Sequence, residues 1–310
     1  MKAVVCTSWG PPEVLRIADV ERPTPRKGEV RIRVVATAVT ASDCIGRALK
    51  APARYRILAQ LVMGFKGPRQ PILGMVLSGE IESVGRNVRS FKPGDQIFGL
   101  SRWKVGGYAE YACYSENGLL ATKPSNLSYD EAAALPYGGL LAMHLVRSAA
   151  IRTGQRVLVY GASGAIGTAT VQLARHFGAR VTGVCSTRNL ALVQSLGAES
   201  VVDYTREDFA NGKERYDVIF DAVGRRKSAA AMLRAGDALT PNGKAISIDD
   251  NWPKLLVEDL PFLKRLAESG ELTPVIDRRY PLEEIVEAHR YVEEGHKRGN
   301  VIVTVGHSGA

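Results

Sequence analysis

The sequence predicts an α/β protein with two parts, a doubly wound parallel sheet and a compact β-barrel. Three observations support this prediction. Short apolar strands alternate with helical segments through the middle of the chain, which is typical of a parallel sheet covered on both faces. The first 125 residues show short strands separated by Gly and Pro, which is typical of a barrel. The chain ends on a further strand, helix and strand, and its 310 residues suffice for about two domains.

The predicted barrel strands are bounded by turn-forming residues. They span Lys2–Cys6, 14–20, Glu29–Val39, 77–84, 95–98 and 107–114. Near the end of the chain the pattern predicts a strand over 273–277, a helix over 282–293 and a strand over 301–305.

The middle of the chain supplies the predicted strands of the parallel sheet and the helices between them. The first strand is Arg156–Tyr160, after which apolar residues from Ile166 to Phe177 recur at helical spacing. A second helical stretch lies between Leu190 and Leu196. Further strands are predicted at 181–185, 201–202, 218–220 and 245–248.

A glycine-rich turn lies between the first of these strands and its helix. Residues 161–167 read GASGAIG, and the strand before and the helix after make this a specific signal for a dinucleotide. Gly164 would let the backbone approach a pyrophosphate, Gly167 would let the helix pack closely on the strand, and the helix N-terminus would hold the phosphates. The predicted cofactor residues here are Ala162, Ser163, Gly164, Ala165, Ile166 and Gly167.

The second strand ends in Ser186, Thr187 and Arg188, where an enzyme that uses NAD would place an acidic residue. Hydroxyl and guanidinium groups donate hydrogen bonds and suit a ribose 2′-phosphate, which an aspartate would repel. The sequence therefore predicts NADP(H) as the cofactor. The alternative is a polar turn that only faces water.

Motifs spread over nearly the whole chain point to a known family. They are MKAVVCTSWGPPEVL at the start, PILGMVLSGEIESVG, FKPGDQIFG, GGYAEYA, EAAALPYGG, the glycine turn, DVIFDAVG and the closing YPLEEIVEAHRYVEEGHKRGNVIVTV. Together they resemble the medium-chain dehydrogenase/reductase superfamily, in its zinc-independent quinone oxidoreductase-like branch. The resemblance implies a GroES-like catalytic domain from residues 1–125 and 271–310 and a Rossmann domain from residues 126–270. It also implies an active site in the cleft between the two domains.

The positions that bind zinc in other members of this superfamily carry different residues here. Thr40 stands where zinc-dependent relatives have a cysteine, ahead of Asp43, and Met75 follows LG in place of a histidine. No C-x-x-C pair exists, and the spacing of Cys44 and the five His residues offers no ligand set. We therefore predict that the protein has no metal site.

Without a metal as Lewis acid, the acceptor must need little polarisation. Hydride transfer to a quinone or to the β-carbon of an α,β-unsaturated carbonyl compound meets this condition, because conjugation delocalises the developing charge. The resemblance implies catalytic roles for Tyr55 as proton donor and for Thr40 and Asp43 at the nicotinamide end. Solvent is the alternative proton donor, and Tyr55 is then a surface aromatic residue.

The resemblance also implies cofactor contacts at the ends of later strands and at a turn near the end of the chain. The matching residues are Tyr204, Ala222, Val223, Gly224, Ser247, Gly299 and Asn300. The polar residues among them have an alternative role as caps of turns.

Residues 54–69 mix apolar side chains with flanking bases, and Ile57, Leu61 and Phe65 share one helical face. Three interpretations remain open for this stretch. It is a helix that covers the barrel, a lid over a hydrophobic acceptor, or a contact with a membrane surface or a partner.

The stretch after the fifth strand of the parallel sheet is shorter than the resemblance requires. Relatives insert a helix and a sixth strand there, and in many of them that strand joins two sheets in a dimer. Here only residues 249–260 precede a helix predicted to begin at Pro261, too few for both elements. We predict five strands, or five and a stub at 254–257, and a monomer or an atypical dimer. The Trp252 loop is the expected cover for the exposed edge.

Composition, the first residues and the net charge limit the expected location and partners of the protein. No run of about 18 apolar residues is present, so no membrane span is expected. The start of the chain has neither secretory nor transit features, which predicts a cytoplasmic protein. The net charge of +9 favours anionic ligands, but no RNA-binding motif is visible and nucleic acid is not an expected partner. The alternative function is an NADPH-binding protein with a structural, RNA-binding or protein-binding role and little catalysis.

Overall fold

The computed structural model describes residues 1–50, 56–102 and 104–307. The chain divides into two compact units, a terminal unit of Met1–Pro136 with Ile276–Ala310 and a central unit of Tyr137–Val275. Both ends of the chain therefore fold together, and the middle of the chain folds separately from them. No helix in the described ranges has both the length and the apolar character that a membrane crossing requires.

The terminal unit begins with strands whose bounds agree with the sequence patterns to within a few residues. The first six strands were all predicted, whereas the four-residue strand β7 was missed. In chain order the elements are β1 (Lys2–Cys6), β2 (Leu15–Asp19), β3 (Glu29–Val39), α1 (Ala41–Arg47), α2 (Arg56–Met63), β4 (Val76–Val84), β5 (Gln96–Leu100), β6 (Tyr111–Ser115), β7 (Leu119–Thr122) and α3 (Tyr129–Ala134).

The central unit alternates helices and strands. Its elements are α4 (Pro136–Ala149), β8 (Arg156–Tyr160), α5 (Ala165–His176), β9 (Arg180–Cys185), α6 (Leu190–Ser195), β10 (Ser200–Asp203), β11 (Tyr216–Asp221), α7 (Arg225–Leu233), β12 (Leu239–Ser247) and α8 (Asp259–Glu268). Helix α8 begins two residues before the predicted start at Pro261, because proline is tolerated within the first turn of a helix.

The five strands of the central unit form one parallel sheet in the order β10-β9-β8-β11-β12. This order confirms the predicted doubly wound sheet of five strands. No strand forms over residues 254–257, so the sheet has no sixth strand, not even a stub.

The chain then returns to the terminal unit with β13 (Ile276–Pro281), α9 (Ile285–Glu294) and β14 (Asn300–Thr304). Strand β13 pairs with β14, which pairs with β3, and the path continues through β4 and β5 to β7, while β6 also pairs with β3. The strand was predicted to begin at Thr273, but β13 begins at Ile276, so this predicted start is wrong. Gln172 hydrogen-bonds both the N–H and the C=O of Thr273 and so removes these groups from sheet pairing.

Apolar side chains from both ends of the chain share one core in the terminal unit. Val30 and Ile32 of β3, Leu77 of β4, Ile285 of α9 and Val301 of β14 are buried in the same cluster. Burial of each such side chain contributes about 1.5–3 kcal/mol, so the C-terminal segment is an integral part of this unit.

Strand β12 is one edge of the central sheet, because only β11 pairs with it. Its pairing shifts register between Tyr216 and Val218, where residues 240–243 bulge. The bulge contains Pro241, which has no N–H to donate, and both features oppose the addition of a further strand. The predicted cover by the Trp252 loop is wrong. The Trp252 side chain is exposed, and its loop turns towards α4, where Lys254 N donates to His144 Nδ1.

Candidate functional site

The carboxyl ends of the parallel strands meet at one edge of the central sheet. Tyr160 of β8 lies opposite Val184 of β9 and Asp221 of β11, and Asp221 lies opposite Ser247 of β12. The turns after these strands therefore lie side by side, where open parallel sheets bind ligands. This edge brings together fourteen positions of the predicted cofactor site, namely Ala162, Ser163, Gly164, Ala165, Ile166, Gly167, Ser186, Thr187, Arg188, Tyr204, Ala222, Val223, Gly224 and Ser247.

For two glycines of the turn, backbone conformation or close packing within the chain explains why no larger residue is present. Gly161 has a φ of +77°, and a Cβ on Gly167 would lie 2.1 Å from the Gly161 carbonyl oxygen and 2.8 Å from the Ala162 Cα. Gly164 differs, because a Cβ there would have no neighbour closer than the Gly161 oxygen at 3.6 Å. Neither packing nor backbone strain explains a glycine at position 164, and the open space beside it fits a bound group.

Helix α5 begins directly at this turn. Its N-cap is Gly164, which has no side chain to cap the helix, and its first turn contains no acidic residue. The first N–H groups of a helix have no partner within the helix, and together with the positive end of the helix dipole they attract anions. The turn and the helix thus fit a pyrophosphate group.

The end of β9 differs from the sequence expectation in one respect. Thr187 and Arg188 are exposed there, but the Thr187 hydroxyl donates to the Asp203 carboxylate at the end of β10. This hydrogen bond is the first of several causes that lower the pKa of Asp203. An acidic residue, Asp203, therefore does lie beside the predicted position of the 2′-phosphate. Arg206 Nε lies 3.6 Å from Asp203 Oδ2. Sequence reasoning missed Asp203 because it ends the third strand rather than the second.

Asn189 is a second residue of this edge that sequence reasoning missed. Its side chain is buried, and Nδ2 donates to Ser163 Oγ at 3.1 Å and to Ser186 Oγ at 3.2 Å. It thereby joins the turn after β8 to the turn after β9. Its Oδ1 is buried without a hydrogen-bond partner among the described residues. The only signal in the sequence was its position directly after Arg188.

A buried carboxylate fixes the turn after β11. Asp221 accepts hydrogen bonds from the backbone N–H groups of Val223 and Gly224 at 3.0 and 3.1 Å. Its other oxygen accepts from the hydroxyls of Ser228 and Ser247 at 2.6 and 2.7 Å. In this structure Ser247 therefore holds the turn through Asp221, and its proton is directed to that carboxylate.

Tyr204 and Ala222 flank Tyr160 at the end of β8. The Tyr204 ring is half exposed, and its centroid lies 6.5 Å from that of Tyr160. The Ala222 N–H donates to the Tyr160 carbonyl oxygen at 3.1 Å. Burial is the main cause that raises the pKa of Tyr160. The exposed ring of Tyr204 offers an aromatic surface on which a planar group can stack.

The remaining predicted site residues belong to the terminal unit. Thr40 and Asp43 lie at the start of α1. Gly299 has a φ of +56° and leads into β14, which begins with the buried Asn300. Tyr55, the predicted proton donor, lies outside the described residues.

Asp43 and Thr40 form a capping box at the start of α1. Asp43 Oδ2 accepts from Thr40 N at 2.9 Å and from Thr40 Oγ1 at 2.6 Å, and Oδ1 accepts from Met75 N at 3.2 Å. Burial raises the pKa of Asp43 to about 6, although these hydrogen bonds oppose the shift. Burial and the Asp43 charge also raise the pKa of Tyr108. The Tyr108 hydroxyl has no hydrogen bond of good geometry within the described residues.

Known proteins resemble the chain over nearly its full length. Residues 26–125 match the alcohol dehydrogenase GroES-like domain family, and residues 196–303 match the zinc-binding dehydrogenase family. The chain is 33% identical to a 2-methylene-furan-3-one reductase of Solanum lycopersicum, over 98% of this chain and 79% of the relative. The chain belongs to the medium-chain dehydrogenase/reductase superfamily. Within the superfamily it falls in the quinone oxidoreductase-like branch.

Two further relatives agree with this membership. A chloroplastic NADPH-dependent alkenal/one oxidoreductase of Arabidopsis thaliana is 31% identical over 98% of this chain and 79% of the relative. The solved structure of the quinone oxidoreductase from Coxiella burnetii is 28% identical, with a TM-score of 0.86 and 99% of both chains covered. The expected fold of this medium-chain dehydrogenase/reductase, a GroES-like domain and a Rossmann-like parallel sheet, is confirmed.

The name of one matching family raises the question of zinc in this medium-chain dehydrogenase/reductase. Among the residues described, no three His, Cys, Asp or Glu side chains come together as a metal site. Cys44 Sγ lies 3.4 Å from His289 Nδ1, but Arg47 Nη1 lies 3.3 Å from the same nitrogen. Burial raises the pKa of Cys44 to about 12, which disfavours the thiolate that binds metals. The pair of Cys44 and His289 therefore does not fit a zinc site.

Proposed function

We propose that this chain is an NADPH-dependent oxidoreductase that transfers a hydride, without zinc, to a quinone or to an α,β-unsaturated carbonyl compound. The observation that supports the proposal best is the edge of the central sheet. There the open Gly164 turn, the uncapped start of α5 and Arg188 lie at the ends of neighbouring strands. The names of the relatives agree with it, since one is NADPH-dependent and acts on alkenals and enones and another is a quinone oxidoreductase.

The central unit would bind the cofactor along this edge. The N–H groups at the start of α5 would bind the pyrophosphate. Ser186 and Arg188 would donate to the 2′-phosphate, while Thr187 keeps its bond to Asp203. Tyr204 would lie against the adenosine end. The turn after β11, fixed by Asp221, would lie along the riboses. From the terminal unit, Thr40, Asp43, Gly299 and Asn300 stay proposed contacts, as the resemblance implies.

The proposed reaction needs only a proton source and hydrogen bonds besides the cofactor and the acceptor. A nicotinamide cofactor supplies a hydride when bound, which adds to the acceptor, and a proton from solvent or from Tyr55 completes the two-electron reduction. Because conjugation in the acceptor spreads the developing negative charge, hydrogen bonds from the protein and from water suffice to stabilise it. A Tyr55→Phe variant tests the proton donor. Unchanged turnover would assign the proton to solvent.

Two measurements test the proposal. We expect NADPH consumption with a panel of quinones and enones, and a clear preference for NADPH over NADH in kcat/KM. Tight NADPH binding without turnover across the panel would instead indicate a binding or structural role. Metal analysis of the dialysed protein should find less than stoichiometric zinc, and one zinc per chain would contradict the zinc-independent mechanism.

A further inference from the structure

Helix α2 and the turn after it expose apolar side chains that the proposed function does not use. The exposed fraction is 70% for Ile57, 49% for Leu61, 58% for Val62 and 59% for Phe65. In the described part of the chain, no other stretch of this length exposes as many large apolar side chains. Ile57 and Leu61 are neighbours on one face of the helix. The interpretation in which this face covers the barrel is therefore wrong, because the face is exposed.

Hydrogen bonds within the segment and contacts with the start of the chain define its conformation. Trp9 Nε1 donates to the Gly64 carbonyl oxygen at 3.0 Å. Arg69 donates from its backbone N to the Met63 oxygen at 2.8 Å and from its side chain to the Leu61 oxygen at 2.7 Å. Gly67 lies so close to the Thr7 backbone that a Cβ would be 2.2 Å from the Thr7 oxygen. The exposed side chains thus belong to a folded, well-bonded surface.

The charged residues along this stretch of the sequence have one sign. From Cys44 to Gly79 the sequence contains no Asp or Glu, but it contains six Lys and Arg residues. Two of the six, Arg47 and Lys50, pair with Glu293. The other four, Arg54, Arg56, Lys66 and Arg69, flank the apolar residues in sequence. A surface with apolar side chains and flanking bases is complementary to the acyl chains and phosphates of an anionic lipid bilayer.

We propose that α2 and its following turn, residues 56–69, dock this protein on the surface of an anionic lipid membrane. Ile57, Leu61 and Phe65 enter the boundary between headgroups and acyl chains, and Lys66 and Arg69 meet the lipid phosphates. A second copy of the chain is a poorer occupant, since two such faces would bring like charges together, and the whole chain already carries a net charge of +9.

Co-sedimentation of the full chain with vesicles tests this proposal without nucleotide or acceptor, so its outcome is independent of the proposed activity. We expect binding to vesicles of phosphatidylcholine with phosphatidylglycerol, weaker binding at high salt, and little binding to phosphatidylcholine alone. Phe65→Glu and Leu61→Glu should each reduce binding about tenfold or more, as expected when one large apolar side chain no longer reaches the apolar phase. Thermal unfolding should stay as in the unmutated protein, because both side chains are exposed.

A matched control lies in the other unit. Leu233 at the end of α7 is 87% exposed, and Leu233→Glu introduces the same change of charge, so it should leave vesicle binding nearly unchanged. Lys66→Glu should weaken binding more than Lys213→Glu does. Equal binding by the Phe65→Glu, Leu61→Glu and Leu233→Glu variants would overturn the proposal. Equal binding to both kinds of vesicle would overturn it too, as would self-association through this face without vesicle binding.

Discussion

Thr187 donates its hydroxyl hydrogen bond to the Asp203 carboxylate across the ends of strands β9 and β10. The pair brings an acidic group next to the turn where a nicotinamide dinucleotide would place its ribose. It also commits the Thr187 proton, so Ser186 and Arg188 are the residues of this turn proposed to donate to a 2′-phosphate. Arg188 is exposed on the same turn as Thr187, and Arg206 lies close to Asp203.

Reversing the charge at Arg188 should change the choice of cofactor. Arg188→Glu should weaken NADPH binding by on the order of 1–3 kcal/mol, because a charge-assisted hydrogen bond to phosphate is lost, and should affect NADH far less. Arg180→Glu, at the opposite end of the same strand, is the control and should bind both nucleotides normally. Isothermal titration with the two nucleotides measures this. Equal losses for NADH and NADPH, or equal catalytic efficiency with both in the unmutated protein, would contradict NADP(H) specificity.

Two glycines of the same turn should respond differently to alanine. In Gly167→Ala the new Cβ overlaps the Gly161 carbonyl oxygen, so the variant should lose roughly 1–3 kcal/mol of stability or more. In Gly164→Ala the Cβ enters open space, so stability should be kept while NADPH affinity falls roughly tenfold through overlap with the pyrophosphate. Urea unfolding and nucleotide titration separate the two effects. Normal NADPH affinity in Gly164→Ala would show that no phosphate approaches there.

Asn189 should position the site for either nucleotide. Asn189→Ala removes the bonds to Ser163 and Ser186, each worth about 1 kcal/mol, and separates the two turns they join. We expect weaker binding of NADPH and NADH by similar factors, in contrast to the selective effect at Arg188. Unchanged Kd values for both nucleotides would assign Asn189 to stability alone.

Asp43 should make the terminal unit less stable as the pH rises. Its pKa is raised from an ordinary 3.8 to about 6 by burial. An acid with a raised pKa in the folded state stabilises the fold below its unfolded pKa, and this contribution disappears as the pH rises from about 4 to about 6. Two pKa units correspond to roughly 3 kcal/mol.

The Asp43→Asn variant isolates this effect. The free energy of unfolding of the unmutated protein minus that of the variant should fall across this pH window and then stay level. Other titrating groups, including His289, are present in both proteins and cancel in the difference. Urea unfolding at a series of pH values gives the measurement, and a difference that rises with pH would show that the sign is wrong.

The edge at β12 should prevent the sheet-to-sheet dimer of the family. The bulge over residues 240–243 and Pro241 oppose pairing with a further strand. Sedimentation at micromolar concentration should therefore show a monomer or a dimer built on another surface. A dimer in which one continuous sheet crosses the two-fold axis at β12 would refute this prediction.

The sequence by itself determined the elements and their class. Hydrophobic period, turn residues and glycine positions are local properties, so they indicated the five parallel strands, most strands of the terminal unit and the glycine turn before α5. The missing sixth strand was also predictable, because residues 249–260 are too few to form it.

Only the tertiary structure decided which side chains meet. The bonds from Thr187 to Asp203, from Asn189 to Ser163 and from Ser247 to Asp221 join residues 16 to 26 positions apart, and they exist because the strand order brings these turns together. The exposure of the apolar face of α2 was likewise decided by the tertiary structure. Helical spacing shows that Ile57 and Leu61 share a face, but the same spacing fits a buried or an exposed face, and only packing against the rest of the chain distinguishes the two.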